Sequence, residues 1–309
     1  MKKVSIPTNI KRFLICYSPS EIEHFCKDKE VDVLHITANV ESRITGSFDY
    51  NEVEFGCPIP KAFEVDEDNP YFTTIEGVLF SKDKKTLVAF PKRDEDYEYT
   101  IPDGVTCIGY EAFVDQRHLT SIHIPDSVEV IESRAFLNCY ALKELTLPRS
   151  LKGEWDYAFE HCYSLERIDI SPDNEMYATV DGVLFSKDMK QLHMYPIKKK
   201  GEIYKIPEGV EIVGENAFHY VEDIQRVILP STLEGIDGCS FLSCQNLQDV
   251  DGLPELFLIS MSLYKKDLKK MGIRKINPAW FFMGCPCLKK IYALREQVRL
   301  DYQNKQENN

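Results

Sequence analysis

The side chains able to bind a metal ion or act as a nucleophile are ten cysteines and seven histidines. The strongest metal-like spacing is Cys285-Pro286-Cys287. A structural zinc site needs four ligands, usually from a second closely spaced pair, and Cys239 lies too far from Cys244 for that pattern. Because these ligands are missing, the sequence favours packed thiols over a zinc centre.

The sequence also lacks the common catalytic signatures. It has no G-x-S-x-G elbow, no G-x-x-x-x-G-K-[ST] loop, no H-E-x-x-H pair and no dinucleotide-binding glycine pattern. Asp66, Asp68 and Asn69 resemble part of a calcium loop, but its glycine and closing glutamate are missing, so we predict a turn. We therefore predict a non-enzymatic protein with no catalytic residues, no metal and no cofactor. The histidines are scattered: His24, His35, His118, His123, His161, His193 and His219.

Three sets of residues recur every 23 residues between positions 101 and 170. An internal period of about 20 to 50 residues is typical of a solenoid, whose units are stabilised by stacking on their neighbours. We therefore predict one continuous repeat domain. The recurring residues are Ala112-Phe113, Ala135-Phe136 and Ala158-Phe159; Pro102, Pro125 and Pro148; and Leu119, Leu142 and Leu165.

Each repeat is expected to contribute a strand, a turn, a short extended piece and a helical turn. In the clearest copy, Leu142 to Leu147 alternate between apolar and polar residues, which predicts a strand with one buried face. Pro148 then ends the strand because it has no N–H to donate. Val128 and Ile131 are predicted to point inward, and residues 134–137 suit one turn of helix.

A longer period of 105 residues contains the short one, since residues 69–91 recur as residues 174–196. Both segments contain the string Gly-Val-Leu-Phe-Ser-Lys-Asp, which begins at Gly77 and at Gly182. Two strand-like stretches flank the polar residues 82–85, so each enlarged coil is predicted to carry a β-hairpin. Half of the array thus resembles a tandem duplicate of the other half.

Four cysteines follow a repeat phenylalanine by three residues, which argues against a disulfide framework. A free cysteine behaves as a small hydrophobe and is often buried, and cytosolic proteins keep their thiols reduced. We therefore predict buried thiols that face the next coil. These cysteines are Cys139, Cys162, Cys244 and Cys285.

The two periods predict the domain organisation. Residues 1–32 are an N-terminal cap, residues 33–251 the solenoid with hairpin coils near 69–91 and 174–196, residues 252–276 a non-repeat insertion, and residues 277–309 the last repeat and C-terminal tail. In the insertion, four lysines lie opposite an apolar stripe. Two interpretations stay open: a basic helix that touches a membrane or an acidic partner, and an ordinary helix packed on the solenoid. The lysines are Lys265, Lys266, Lys269 and Lys270.

The repeats resemble those of the BspA-like leucine-rich repeat proteins, whose unit reads I-P-x-x-V-x-x-I-G-x-x-A-F-x-x-C-x-x-L-x-x-I-x-I-P. Ile101-Pro102, Val105, Ile108-Gly109, Ala112-Phe113 and Leu119 match this string. The resemblance covers residues 33–251 and 277–292 and implies an α/β fold: a right-handed leucine-rich-repeat solenoid with a parallel strand stack and short helical turns. It also implies protein binding or surface adhesion, mainly in bacteria, and brings no catalytic residues.

Composition restricts the partners and the location. Lys and Arg number 37 against 50 Asp and Glu, and the net charge of -13 opposes the phosphate neutralisation that drives nucleic-acid binding. No apolar run approaches about 18 residues, and the first residues lack the apolar core of a signal peptide. The chain as given therefore suggests a cytoplasmic protein and disfavours a membrane partner, whereas the family resemblance implies the cell surface or secretion.

Outward side chains of stacked parallel strands form ladders about 4.8 Å apart, and we predict that one such ladder binds a partner. Its mixed charges suit a protein or cell-surface ligand, while a purely solubilising role is the competing interpretation. The sequence thus predicts a protein-protein interaction or adhesion module; the alternatives are an intracellular scaffold, and an enzyme or metal protein that uses residues 252–287. The ladder comprises Ser121, His123, Glu144, Thr146, Arg167, Asp169, Arg226, Ile228, Asp249 and Asp251.

Overall fold

The computed structural model describes residues 3–5, 32–36, 59–153, 157–253 and 279–307. The chain divides into two compact units, Met1–Tyr163 and Ser164–Asn309, here called the first and second unit. Most of the predicted N-terminal cap (1–32) and of the insertion (252–276), including its four lysines, lies outside the described residues. The predicted domain boundaries therefore stay predictions.

The described part of the first unit is built from short strands. Strands β1, β2 and β3 form one parallel sheet, and β9 pairs in parallel with both β7 and β11. A further sheet has the order β10-β8-β6-β5-β4. The strands are β1 Lys3–Ser5, β2 Val33–Ile36, β3 Ala62–Val65, β4 Phe72–Ile75, β5 Val78–Ser81, β6 Thr86–Ala89, β7 Tyr97–Thr100, β8 Cys107–Ile108, β9 Leu119–His123, β10 Val130–Ile131 and β11 Glu144–Leu147.

The second unit repeats this plan and ends in helix. Strands β16, β18 and β20 form a parallel sheet, and a second sheet has the order β13-β14-β15-β17-β19. The strands are β12 Arg167–Ile170, β13 Tyr177–Val180, β14 Val183–Ser186, β15 Gln191–Met194, β16 Ile203–Lys205, β17 Ile212–Val213, β18 Arg226–Ile228, β19 Gly235–Ile236 and β20 Asp249–Asp251. Two helices follow, α1 Ala279–Phe282 and α2 Leu288–Glu307.

The apolar and polar residues that alternate in the sequence are the buried and exposed side chains of the strands. On β11, Leu145 and Leu147 are buried while Glu144 and Thr146 are exposed. Val128 and Ile131, predicted to point inward, are buried in the following part of the coil. Both units are thus built from solenoid coils with much sheet and little helix, which confirms the predicted leucine-rich-repeat fold.

The repeat phenylalanines stack face to face along the core. In the first unit, the ring of Phe136 lies 5.0 Å from that of Phe113 and 5.1 Å from that of Phe159. In the second unit, Phe241 stacks in the same way on Phe218 and Phe282. Each coil therefore completes the packing of the next, which is why a single repeat has no stable core of its own.

The segment predicted as a helical turn is a series of overlapping reverse turns. Leu137 N–H donates to the Arg134 carbonyl at 3.0 Å, but Arg134 and Asn138 have φ angles of 57° and 63°. A right-handed helix cannot continue through residues in the left-handed region. The coil therefore reverses direction at this segment and contains no regular helix.

The cysteines predicted as packed thiols are free and buried, which confirms that interpretation. Each thiol donates to the carbonyl of the phenylalanine one coil earlier, as Cys139 Sγ does to Phe113 O at 3.2 Å. Gln116 Nε2 takes this role in its own coil and donates to Phe90 O. The thiols therefore satisfy buried carbonyls as well as filling space. The other pairs are Cys162 with Phe136, Cys244 with Phe218 and Cys285 with Phe241.

The enlarged coil carries three antiparallel strands, one more than a simple hairpin. Strand β5 pairs with both β4 and β6, as β14 does with β13 and β15 in the second unit. Glu76 and Gly77 connect β4 to β5 with φ angles of 50° and 79°, the positive values that a two-residue hairpin turn requires. Because a Cβ on Gly77 would lie 3.2 Å from Ala62 Cβ, the turn fits closely beside β3.

The segment that resembled part of a calcium loop is a turn, as predicted. Asn69 N–H donates to the Asp66 carbonyl at 3.0 Å. The buried Asn69 side chain then accepts the backbone N–H groups of Tyr71 and Phe72 through Oδ1. Asn69 is therefore a structural residue that starts β4.

Candidate binding face

The first unit brings four of the predicted ladder residues together on the outer side of one parallel sheet. Ser121 and His123 lie on β9, Glu144 and Thr146 lie on β11, and all four are exposed. His123 is paired with Thr146 in the register of the two strands. Their arrangement is as predicted, whereas their role in binding stays a prediction.

Two further residues extend this face and were missed in the sequence. Glu98 and Thr100 lie on β7, are exposed, and pair in register with Ser121 and His123. Both lie 23 residues before their register partners, so the repeat spacing, carried one unit toward the N-terminus, would have located them. The alternation from Tyr97 to Ile101 was a second available signal. We call Glu98, Thr100, Ser121, His123, Glu144 and Thr146 the first face.

The first face makes no side-chain interactions of its own. Within the part of the chain that the structure describes, none of its six side chains forms a hydrogen bond or an ion pair. Lys143 is exposed just before Glu144, outside the alternating positions of β11. The first face therefore consists of two carboxylates, three hydroxyls and an imidazole, all open to solvent.

The second unit brings together the other predicted residues of the ladder, except Arg167 and Asp169. Arg226 is in register with Asp249, and Ile228 with Asp251. Ile203 and Lys205 on β16 complete the sheet; they were not predicted, although they lie 23 residues before Arg226 and Ile228. Ile203 is 63% exposed, an unusual position for a large aliphatic side chain. We call Ile203, Lys205, Arg226, Ile228, Asp249 and Asp251 the second face.

Unlike the first face, the second face pairs its own charges. Arg226 lies 3.4 Å from Asp249 Oδ2 and 3.8 Å from Asp251 Oδ2, and Lys290 of α2 also donates to Asp249. The bond from Lys290, reinforced by Arg226, lowers the pKa of the Asp249 carboxyl from its ordinary value. These charges already have partners within the protein.

Arg167 and Asp169, the remaining predicted residues, pair with each other on β12. Arg167 Nη2 donates to Asp169 Oδ1 at 2.8 Å, beside a second bond from Nε. A bidentate pair of this kind holds both side chains in one geometry. This strand lies outside the sheet of the second face, so the structure does not join these two residues to Arg226 and Asp249 in one described sheet.

One buried carboxylate, Glu111, lies away from the faces, in the turn one coil before that of Arg134. The Glu111 side chain is 3% exposed, and its nearest cation is Arg134 Nη1 at 3.9 Å. Its Oε2 atom is buried without a hydrogen-bond partner. Burial therefore raises the pKa of Glu111 to about 6, although Tyr110 and Arg134 act in the opposite direction.

The described residues contain no cluster of three or more His, Cys, Asp or Glu side chains arranged to hold a metal ion. Cys285 and Cys287 are both buried in the second unit, and Cys287 N–H donates to the Leu247 carbonyl. Within the same described regions, neither helix has the length and apolar character needed to span a bilayer.

The coil geometry agrees with a family comparison. The profile of the BspA type leucine rich repeat region matches residues 88–197 and 198–300, in six copies. The chain belongs to the BspA-type leucine-rich repeat family. No curated protein matches it.

Two solved structures share the fold of this BspA-type chain. The pneumococcal vaccine antigen PcpA is 23% identical with a TM-score of 0.52, and the match covers 81% of this chain and 60% of that chain. A leucine rich cell surface protein from Faecalibacterium prausnitzii A2-165 is 24% identical with a TM-score of 0.54, covering 82% and 69%. The chain thus spans about three fifths of the length of the pneumococcal antigen. These similarities support the leucine-rich-repeat fold.

Proposed function

We propose that this protein is a non-enzymatic interaction or adhesion module whose outward strand side chains bind another protein or a cell-surface ligand. The observation that carries the proposal is the difference between the duplicated halves. Inward residues 105 positions apart keep their character, as Tyr99 and Tyr204 or Ile122 and Val227 do. Outward residues change at five of six positions: Glu98 to Ile203, Thr100 to Lys205, Ser121 to Arg226, His123 to Ile228 and Thr146 to Asp251, with Glu144 and Asp249 alike.

The physical reason for this contrast is packing. An inward side chain contacts the coils on both sides, so a change in its size or polarity destabilises the stack. An outward side chain is solvated, and its replacement usually changes stability by less than about 0.5 kcal/mol. The outward positions were therefore free to acquire different binding chemistry in each half.

The cell surface is the proposed location. One solved relative is described as a cell surface protein and the other as a vaccine antigen, and we extend that location to this chain. Antibody binding to intact cells, compared with binding to lysed cells, tests it. Labelling of lysed cells alone would contradict a surface location.

An intracellular scaffold is the second candidate, and the free thiols favour it. Seven described cysteines are unpaired, as expected in a reducing compartment. The two locations are separated by counting thiols in protein isolated from its own cells under alkylating conditions. Extensive disulfides would contradict the scaffold.

The faces are tested by comparing variants in a capture experiment. We expect His123→Ala/Thr146→Ala in the first face, or Arg226→Ala/Ile228→Ala in the second, to lose a partner that the unmodified protein retains. The control is Glu129→Ala/Val130→Ala, which changes exposed Val130 on β10 and the exposed residue just before it, outside both faces. Circular dichroism checks that all variants fold. Equal capture by all four proteins would remove the faces as the binding site.

A further inference from the structure

The two faces differ in whether their charges are available. Arg226, Asp249 and Asp251 pair with one another and with Lys290, so a partner must compete with existing ion pairs. Among the residues that the structure describes, Glu98 and Glu144 of the first face have no such partner. A carboxylate that no internal cation neutralises keeps its attraction for an external cation.

The spacing of these two carboxylates is set by the sheet. Glu98 lies on β7 beside Ser121 of β9, and the register of His123 with Thr146 places Glu144 on the other side of Ser121. Two strand spacings separate Glu98 from Glu144, which is about 9.6 Å between their backbones. Ser121 lies between them and offers a hydroxyl but no positive charge.

An extended segment in the polyproline II conformation matches this distance. It has three residues per turn and rises about 3.1 Å per residue, so side chains three positions apart point the same way about 9.3 Å apart. Two lysines or arginines at that spacing would each meet one carboxylate when the segment crosses the strands. Thr100, Ser121 and Thr146 would supply hydroxyls to its solvated backbone groups.

We propose that the first face docks a basic, extended segment of a partner protein, with Glu98 and Glu144 binding two cationic residues three positions apart. This proposal rests on the proposed function and names the partner chemistry of one face. Exposed Lys143 precedes Glu144 and repels a basic segment. Removing its charge should therefore tighten binding, whereas removing the carboxylates should weaken it.

The probe is a short proline-rich peptide with two lysines three positions apart, labelled with an uncharged dye and titrated by fluorescence anisotropy at low salt. Its control has the same composition with adjacent lysines. Because exposed ion pairs are weak and Glu98→Gln/Glu144→Gln removes two of them, this variant is expected to weaken binding roughly two- to thirty-fold. Lys143→Gln is expected to tighten it about two-fold.

The matched control is Asp126→Asn/Glu129→Gln, which removes the same charge from two exposed residues outside both faces, where Arg149 and Lys152 pair with them. We expect it to leave binding unchanged and the adjacent-lysine peptide to bind more weakly to the unmodified protein. Equal weakening by both double variants would mean that the net charge of -13 attracts the peptide, and the proposal would be wrong. Equal affinity for both peptides, or no binding of either, would also overturn it. None of these three results affects the capture experiment, which tests the interaction function with natural partners.

Discussion

Glu111→Gln tests how one buried carboxylate sets the pH dependence of stability. The Glu111 side chain is 3% exposed, and Oε2 has no hydrogen-bond partner. Burial raises its pKa from an ordinary value of 4.5 to about 6. Glutamine has nearly the same shape and takes the same backbone conformation, so the substitution removes the titration and little else.

The raised pKa of Glu111 gives the direction and the size of the change in the free energy of unfolding with pH. Between pH 4.5 and about 6 the folded protein holds the Glu111 proton while the unfolded chain releases it. The free energy of unfolding therefore falls as pH rises through this window and levels off above pH 6. A pKa difference of about 1.5, at 1.36 kcal/mol per pKa unit, corresponds to about 2 kcal/mol. The variant lacks this loss, so its stability relative to the unmodified protein rises by about 2 kcal/mol across the window.

Urea denaturation of both proteins at intervals from about pH 4 to about pH 7.5 measures this difference. Other titrating groups are common to the two proteins and cancel. Glu129→Gln, which changes an exposed glutamate paired with Lys152, is the control and should show a much smaller change. The reasoning would be refuted if the stability of Glu111→Gln relative to the unmodified protein stayed constant or fell as the pH was raised.

Three further results are expected. Phe136→Ala removes the middle ring of the stack between Phe113 and Phe159 and should cost about 3 to 5 kcal/mol in chemical denaturation; a loss below about 1 kcal/mol would mean that the stack is not central to the core. Gly77→Ala and Gly104→Ala both place a side chain at positive φ, which costs about 1 kcal/mol of folding stability. Only the side chain added at Gly77 would also crowd Ala62, so Gly77→Ala should destabilise the protein more. Equal losses of stability would contradict the close approach of Gly77 to Ala62. Cys107 should alkylate slowly near neutral pH and faster as pH rises, because burial raises its thiol pKa to about 12; rapid alkylation near neutrality would contradict its burial.

The strands and core of the regular coils were predictable because one pattern determines both. Alternation places Leu145 and Leu147 inside, and the 23-residue spacing places Phe136 between its neighbours. Strand β4 was not predicted, since its four residues Phe-Thr-Thr-Ile show no alternation and depend on the Asn69 side chain to begin. The left-handed residues at the reverse turn were missed for a related reason: Arg134 is not a residue type that signals positive φ.

The candidate faces were partly predictable. The positions of His123 and Glu144 follow from the repeat, but the pairing of charges does not, because it depends on which side chains meet across strands. Nothing in the local sequence distinguishes Asp249, which Lys290 reaches from 41 residues away, from Glu144, which no cation of the described segments contacts. The difference between the faces therefore follows only from the folded structure.

In the first unit, several polar side chains outside the strand face bond to neighbouring coils. Asn138 Nδ2 donates to Asp115 at 2.9 Å, Ser150 Oγ donates to the Val128 carbonyl, and Gln116 donates to the Phe90 carbonyl. A partner that used these groups would break bonds between coils and leave buried acceptors unsatisfied, at about 1 to 3 kcal/mol each. The first face has no such bonds to any residue in the described ranges. A ligand can bind there without weakening the stack, so this surface can be specialised independently of stability.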